Sequence, residues 1–355
     1  MGSNCPTGTP DWSGVTLENF DRTFLMNPTL CTSCTCPLEI DGIRLGVMTY
    51  YPSIGGNAFL TVVFALCLFT QIFLGIRHKT WGVLVSMTGG LFLEVLGYIA
   101  RILMRDNMFS DSYFIMYLVC LTIAPAFLAA GIYLSLSRLI VIYAPDHARF
   151  RPQVYTYIFI VFDVIALILQ AAGGAVASSA SFDSPSRQAG INTMIAGVAW
   201  QVVALVLFGL LSFEFWMRVR NIVRAPSRGA NGGAVLNPAF AALRAKRAFQ
   251  PGFIYALLGA GVFIFVRSVF RCAELSEGFD SPLANDEVTF MVLEGTMIAL
   301  ACILLTVFHP GLVVGSEMWS AASWKNGAHA PVNDAEKAGT ESGSDQELRF
   351  DELRA

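Results

Sequence analysis

An all-α membrane protein, a bundle of seven transmembrane helices with its N-terminus outside and its C-terminus in the cytosol, is the fold class predicted by three observations. The 355-residue chain is 55% hydrophobic and only 14% charged, with mean hydropathy +0.58, whereas soluble domains carry about 25% charged residues. Seven apolar segments are each long enough to cross a bilayer, for which roughly 20 residues suffice. The charge of the short connections alternates in sign from one to the next.

The segments fall at about 54–76, 82–104, 113–141, 153–177, 189–215, 251–272 and 288–310. They are long and mostly continuous, without the roughly ten-residue apolar and polar alternation of a membrane barrel, so they are expected as helices. Orientation follows from basic residues near the span ends. Arg77 and Lys79 follow the first span, Arg149 and Arg151 the third, and Arg218, Arg220, Arg224, Arg228, Arg244, Lys246 and Arg247 the fifth; Asp146 is the one acid among them. The opposite connections hold Asp106, Asp111, Asp183, Glu274, Glu277, Asp280, Asp286 and Glu287 against Arg105 and Arg187. The basic connections are therefore placed in the cytosol.

Three regions follow: an extracellular cysteine-containing segment 1–53, a seven-helix membrane domain 54–311, and a disordered cytosolic tail 312–355. Residues 1–50 lack a signal-peptide pattern, so the first span is expected to direct their translocation. Cys5, Cys31, Cys34 and Cys36 then lie on the oxidising face and are candidates for disulfides, with connectivity open. A thiolate metal site is the competing reading of that spacing, and the lack of a nearby His argues against it. Cys272, at the end of the sixth span, is a further partner for that segment, while Cys67, Cys120 and Cys302 read as small core residues. Asn27 is followed by Pro28, so no N-glycosylation is expected. In the tail, acids such as Asp334, Glu336, Glu341, Asp345 and Glu347 among Gly and Ser predict disorder. The acid-free loop 217–249 repeats Arg220, Arg224 and Arg228 every four residues, which either faces anionic headgroups or simply obeys the topology rule.

Charges at membrane depth cost about 2.5 to 3.5 kcal/mol each on insertion scales, so they face the bundle interior and usually serve function. Glu94 lies near the middle of the second span and Arg101 two turns further on the same face, with Tyr98 between them. Asp163 and Gln170 repeat this interval in the fourth span, as do Glu287 and Glu294 in the seventh. Arg267 and Arg271 are one turn apart in the sixth, and Gln201 and Asn57 add neutral polar groups in the fifth and first. Together these predict a chamber in the outer half of the membrane, with Glu94, Asp163 and Gln201 as its floor and Arg101, Gln170, Arg267, Arg271 and Glu294 above. The alternative is a set of ion pairs that only locks the bundle. Pro125 among Ala124, Ala126, Ala129 and Ala130, and the pairs Gly89–Gly90 and Gly173–Gly174, read as sites of close helix approach or kinking.

No G-x-x-x-x-G-K-[ST] loop or H-E-x-x-H motif is present, and the four His are scattered at 78, 147, 309 and 329. No catalytic residues, cofactor or metal are assigned, and an enzyme is not expected. The expected partners are membrane lipids and a small amphipathic substrate, with a partner transporter as a further candidate and no nucleic acid.

The chain resembles the fungal lipid-translocating exporter family, the seven-helix RTA-like group related to aminocholesterol-resistance and sphingoid-base-exporting proteins, over about 50–312. The resemblance is carried by Tyr51-Pro52-Ser53 with Asn57, Trp81 leading to Glu94, Gly97, Tyr98 and Arg101, and Ala124-Pro125-Ala126 with Tyr133 and Arg138. Phe159, Asp163, Gln170, Gly173, Gly174, Gly197, Gln201, Arg267-Ser268, Phe270, Arg271, Glu274, Gly278, Glu287 and His309-Pro310-Gly311 complete it. The family often has an aromatic-rich stretch and an Asp early in the seventh span, where this chain has Val288, Met291 and Glu294.

That resemblance implies a plasma-membrane protein of fungi that moves or exports sphingoid long-chain bases or similar toxic amphipaths and so gives resistance. A seven-span lipid sensor, or a regulator of a separate flippase, is the alternative, because fold does not imply function.

Overall fold

The computed structural model describes residues 35–40, 43–44, 46, 48, 50–106, 108–109, 111–143, 152–179, 185–224, 240–244, 248–277 and 286–322. Seven of its helices are long and apolar enough to cross a membrane. We label them α1 (Ile54–Arg77), α2 (Trp81–Asp106), α3 (Asp111–Tyr143), α4 (Pro152–Ser179), α5 (Pro185–Arg224), α6 (Ile254–Glu277) and α7 (287–307). Each lies on one of the segments expected from hydropathy, and α5 outruns its segment at both ends. Before α1, Glu39–Ile40 pairs antiparallel with Ile43–Arg44 over two residues.

α1 shows how an almost wholly apolar helix is oriented. Asn57, Leu60, Phe64, Cys67, Gln71 and Leu74 recur at three- and four-residue steps and are buried, while Phe59, Leu66, Phe69 and Phe73 stand outward. Apolar residues on both faces are what a lipid-surrounded helix requires. Ser53 caps the start through its hydroxyl, which accepts from Gly56 N at 3.4 Å. At the other end Lys79 takes φ 55°, and Thr80 N donates to Gly75 O at 3.0 Å. Non-glycine residues rarely adopt this left-handed conformation, and here it folds α2 straight back along α1.

Successive helices pack as antiparallel neighbours, most extensively α2 on α3 and α4 on α5, and α7 returns to α1. α3 also meets α6 across the bundle and is the most enclosed span. Small residues set the closest approaches. A Cβ on Gly90 would lie 2.8 Å from Leu128 Cδ2 and 3.0 Å from Ala124 O, which fixes α2 against α3 just before Pro125. A Cβ on Gly190 would lie 2.6 Å from Ala177 N and 2.7 Å from Gly173 O, so α4 and α5 touch backbone to backbone there.

Two spans contain π-helical stretches. α6 is entered through Ala248–Phe253, and α7 opens with Glu287–Thr289, widens into a π-helical Phe290–Thr296 and continues as α-helix over Met297–Val307. Such widenings are rare and recur at functional sites.

Two short helices, α8 (Pro310–Val313) and α9 (Ser316–Ala321), follow α7, and Val313, Val314, Trp319 and Ala322 are buried. Arg138 of α3 donates from Nη1 to Trp319 O at 2.7 Å and lies over the indole at 5.1 Å. Apolar residues at 313, 314 and 319 explain why the chain stays on the bundle; the acidic remainder, 323–355, lies outside the described residues. So do Cys5, Cys31 and Cys34, and Arg228 of the expected basic stripe, which α5 carries as far as Arg224. Cys36 is buried and disulfide-bonded. Cys272 is free, contrary to the bridge envisaged for it, as are the buried Cys67, Cys120 and Cys302.

Gly190→Val should lower the thermal unfolding midpoint of the purified protein, since forced overpacking costs about 1 to 3 kcal/mol. Gly209→Ala, with nothing within 4 Å of the new carbon, should leave the midpoint unchanged or slightly raised.

Candidate functional site

Three helices bring ionisable side chains to one buried region. Arg101, Glu94, Arg267, Arg271, Glu294 and Glu274 are 0%, 2%, 2%, 2%, 3% and 6% exposed. Three guanidinium groups thus face three carboxyl groups inside the bundle. α2 supplies Glu94, Tyr98 and Arg101 at the helical intervals read from the sequence, α6 supplies Arg267, Arg271 and Glu274, and the π-helical part of α7 supplies Glu294.

Arg267 sits at the centre. Its Nη2 pairs with Glu294 Oε1 and also donates to Leu121 O at 2.7 Å. The Leu121 carbonyl is free to accept because the residue four positions later, Pro125, has no N–H to complete the helical bond. The proline of α3 therefore does more than bend its helix: it creates an acceptor for the site.

Arg101 is held differently. Nε donates to Asn57 Oδ1 at 3.1 Å and Nη2 to the Tyr50 hydroxyl at 2.9 Å. Its guanidinium carbon lies 3.9 Å from the ring centre of Phe290 and 5.1 Å from that of Tyr117. Aromatic faces attract a cation electrostatically where water does not reach. Arg271 Nη1 pairs with Glu274 Oε2 at 2.7 Å, one helical turn along α6.

Tyr98 stacks on Phe64, with ring centres 5.5 Å apart, and its hydroxyl reaches the backbone of α7 at Gly295. A Cβ there would lie 2.7 Å from that hydroxyl, so only glycine permits the approach. The residues before α1 close this end of the region. Ser53 N donates to Glu287 Oε1 at 2.5 Å and Arg105 Nη1 to Pro52 O at 2.7 Å.

Several buried polar atoms have no hydrogen-bond partner: Tyr98 Oη, Arg101 Nη1, Arg267 Nε, Arg271 Nε and Glu294 Oε2. Glu94 makes no ion pair among the described residues, although Arg267 and Glu294 act on it electrostatically. One unpaired carboxyl group and one half-paired carboxylate are what a cationic ligand would need.

The residues expected on one floor are not all brought together. α4 packs against α3 and α5, so Asp163 faces Tyr133 and does not join Glu94 on a common floor. Gln170 Nε2 donates to Gln201 Oε1 at 3.4 Å, between α4 and α5. The site residues inferred from sequence thus form two groups, one around Arg267 and one along α4.

Tyr50, Tyr117, Phe290 and the Leu121 carbonyl were not legible as site members. Pro125, four residues after Leu121, was the available signal for the last. Among the described residues no group of His, Cys, Asp and Glu is arranged to hold a metal ion.

A seven-helix integral membrane protein with a balanced, buried group of arginines and glutamates is the class that these features define. Residues 87–317 match the model of the RTA1 like protein family, and the chain belongs to that family. It is 32% identical over 276 residues to the sphingoid long-chain base transporter RSB1 of Saccharomyces cerevisiae, covering 73% of this chain and 72% of the relative. It is 28% identical to protein RTM1 of Saccharomyces cerevisiae, over 67% of this chain and 72% of that one. It is 23% identical to the probable lipid transporter atnI of Emericella nidulans, over 75% and 67%. No solved structure matches the chain.

Arg267→Ala would leave the Glu294 carboxylate buried and unpaired, a loss of about 3 to 5 kcal/mol. The pair Arg267→Met with Glu294→Met should recover most of it, as read from thermal unfolding of the two variants in detergent.

Proposed function

We propose that this protein moves single-chain cationic amphipaths, sphingoid long-chain bases or molecules like them, across a fungal membrane. The observation that carries the reading is the pair of carboxyl groups in the network: Glu94 without an ion pair, and Glu294 with Oε2 unpartnered beside Arg267. Relatives named for sphingoid-base and lipid transport support it.

The chemistry follows from charge balance. A primary ammonium entering beside Glu94 and Glu294 donates to both carboxyl groups. It thereby competes with Arg267 for Glu294, while Arg267 retains the Leu121 carbonyl. Charge-assisted hydrogen bonds of this kind are the stronger ones, so the headgroup is stabilised where an uncharged lipid headgroup is not. The hydrocarbon chain remains among apolar helix faces and lipid, as a single-chain amphipath requires. Tyr98, Arg101 and Arg271 hold the positions of the carboxyl groups by packing and by balancing the field.

On this reading the protein is a carrier rather than an enzyme. The basic connections after α1, α3 and α5 favour an N-terminus outside and a C-terminus in the cytosol. Transport from the cytosolic side across the plasma membrane would then give resistance to added base.

In vesicles containing only this protein, a labelled sphingoid base should cross faster than in protein-free vesicles, and Glu94→Gln should lower that rate at least tenfold. Gly209→Ala should not. A wild-type rate equal to that of protein-free vesicles would overturn the proposal.

A further inference from the structure

The second polar group is not explained by headgroup binding. Thr156, Asp163 and Gln170 recur every seven residues on one face of α4 and are 1%, 4% and 5% exposed. At 1.5 Å of rise per residue they are about 10.5 Å apart along the helix. Thr156 Oγ1 donates to Tyr133 O at 3.4 Å, and Gln170 bonds to Gln201 of α5. Asp163 stands between them; the Tyr133 hydroxyl is the one hydrogen-bonding group that acts on its carboxyl among the described residues, and the two make no well-formed hydrogen bond.

The surroundings of Asp163 are apolar and uncharged. From α3 the titratable group that acts on it is Tyr133, and two turns along α4 the neutral Gln170 meets the neutral Gln201 of α5. The Tyr133 ring is centred 4.5 Å from that of Phe208 and 5.5 Å from that of Phe159. Glu94 is acted on by Arg267 and Glu294, and Asp163 by neither. No guanidinium or ammonium group among the described residues compensates it.

An ionised carboxylate is strongly disfavoured in such a place unless a charge pairs with it. Calcium asks for six to eight oxygen ligands and magnesium for an octahedron of them, whereas no group of His, Cys, Asp and Glu among the described residues is arranged to hold a metal ion with Asp163. A bound proton satisfies the site with no further ligand.

We propose that Asp163 is the proton-carrying group of the transport cycle, so that lipid movement by this protein is coupled to a proton gradient. The proposal rests on the lipid-transport reading above. In the closed state the carboxyl group holds its proton. When the helices part and water reaches one end of the Thr156–Asp163–Gln170 face, the O–H bond breaks and the proton passes to water. Water at the opposite end returns a proton to the carboxylate and resets the site.

The test uses the full chain in vesicles with a labelled sphingoid base, with and without an imposed pH gradient, and infrared spectra of the same samples. The wild type should respond to the gradient by at least threefold and show a protonated-carboxyl stretching band. Asp163→Asn should keep lipid movement without a gradient, lose the response to one, and lack that band. Retention of the response or of the full band in Asp163→Asn overturns the proposal. Wild-type movement indifferent to the gradient overturns the coupling alone; no wild-type movement overturns the transport reading and the coupling with it. Gel filtration verifies that Asp163→Asn folds. Should it not, Tyr133→Phe serves: removing the neighbouring hydroxyl dipole should shift the band, and an unmoved band overturns the assignment.

Discussion

The contact on which the rest depends is that of Arg267 with the Leu121 carbonyl and the Glu294 carboxylate. One guanidinium joins α3, α6 and α7 at a depth where no water competes. It is possible only because two helices depart from regularity. Pro125 releases a carbonyl from α3, and the π-helical stretch of α7 carries Glu294. Neither irregularity would persist unpaired in an apolar medium, where each unsatisfied backbone group costs several kcal/mol.

Around this contact, charge is balanced by number and by distribution. The three arginines are partnered by different means: carbonyl and carboxylate for Arg267, an adjacent carboxylate for Arg271, and amide, phenol and aromatic faces for Arg101. Arg101 is thus stabilised without an ion pair, which leaves the carboxyl groups less committed than a simple pairing would. A buried network of this kind is poor evidence for stability, since well-packed apolar residues often do as well.

The spans were legible because the bilayer imposes a length and a composition, and the intervals within α2 and α6 were legible because helical geometry is fixed. How the helices are arranged around each other was not. Asp163 and Glu94 fall at similar depths, yet α4 lies on α3 and α5, and depth alone does not say which face meets which neighbour. Tyr117 and Phe290 were equally hidden, for an aromatic in an apolar span reads as packing until a cation is found over it. The short helices after 307 were not legible because their few apolar residues, Val313, Val314 and Trp319, are outweighed in composition by the acids that follow.

The backbone contact of Gly173 with Gly190 bears on mechanics. Side chains that meet can exchange rotamers as helices slide, but a carbonyl oxygen 2.7 Å from where a Cβ would stand leaves no such slack. α4 and α5 are therefore joined like two rails of one frame, able to tilt together and not to shear. The seam between α1 and α7 is built otherwise, with pliable Met291 against Gly56 and Leu60 against Gly295. Rigidity is lodged on one side of the bundle and compliance on the other.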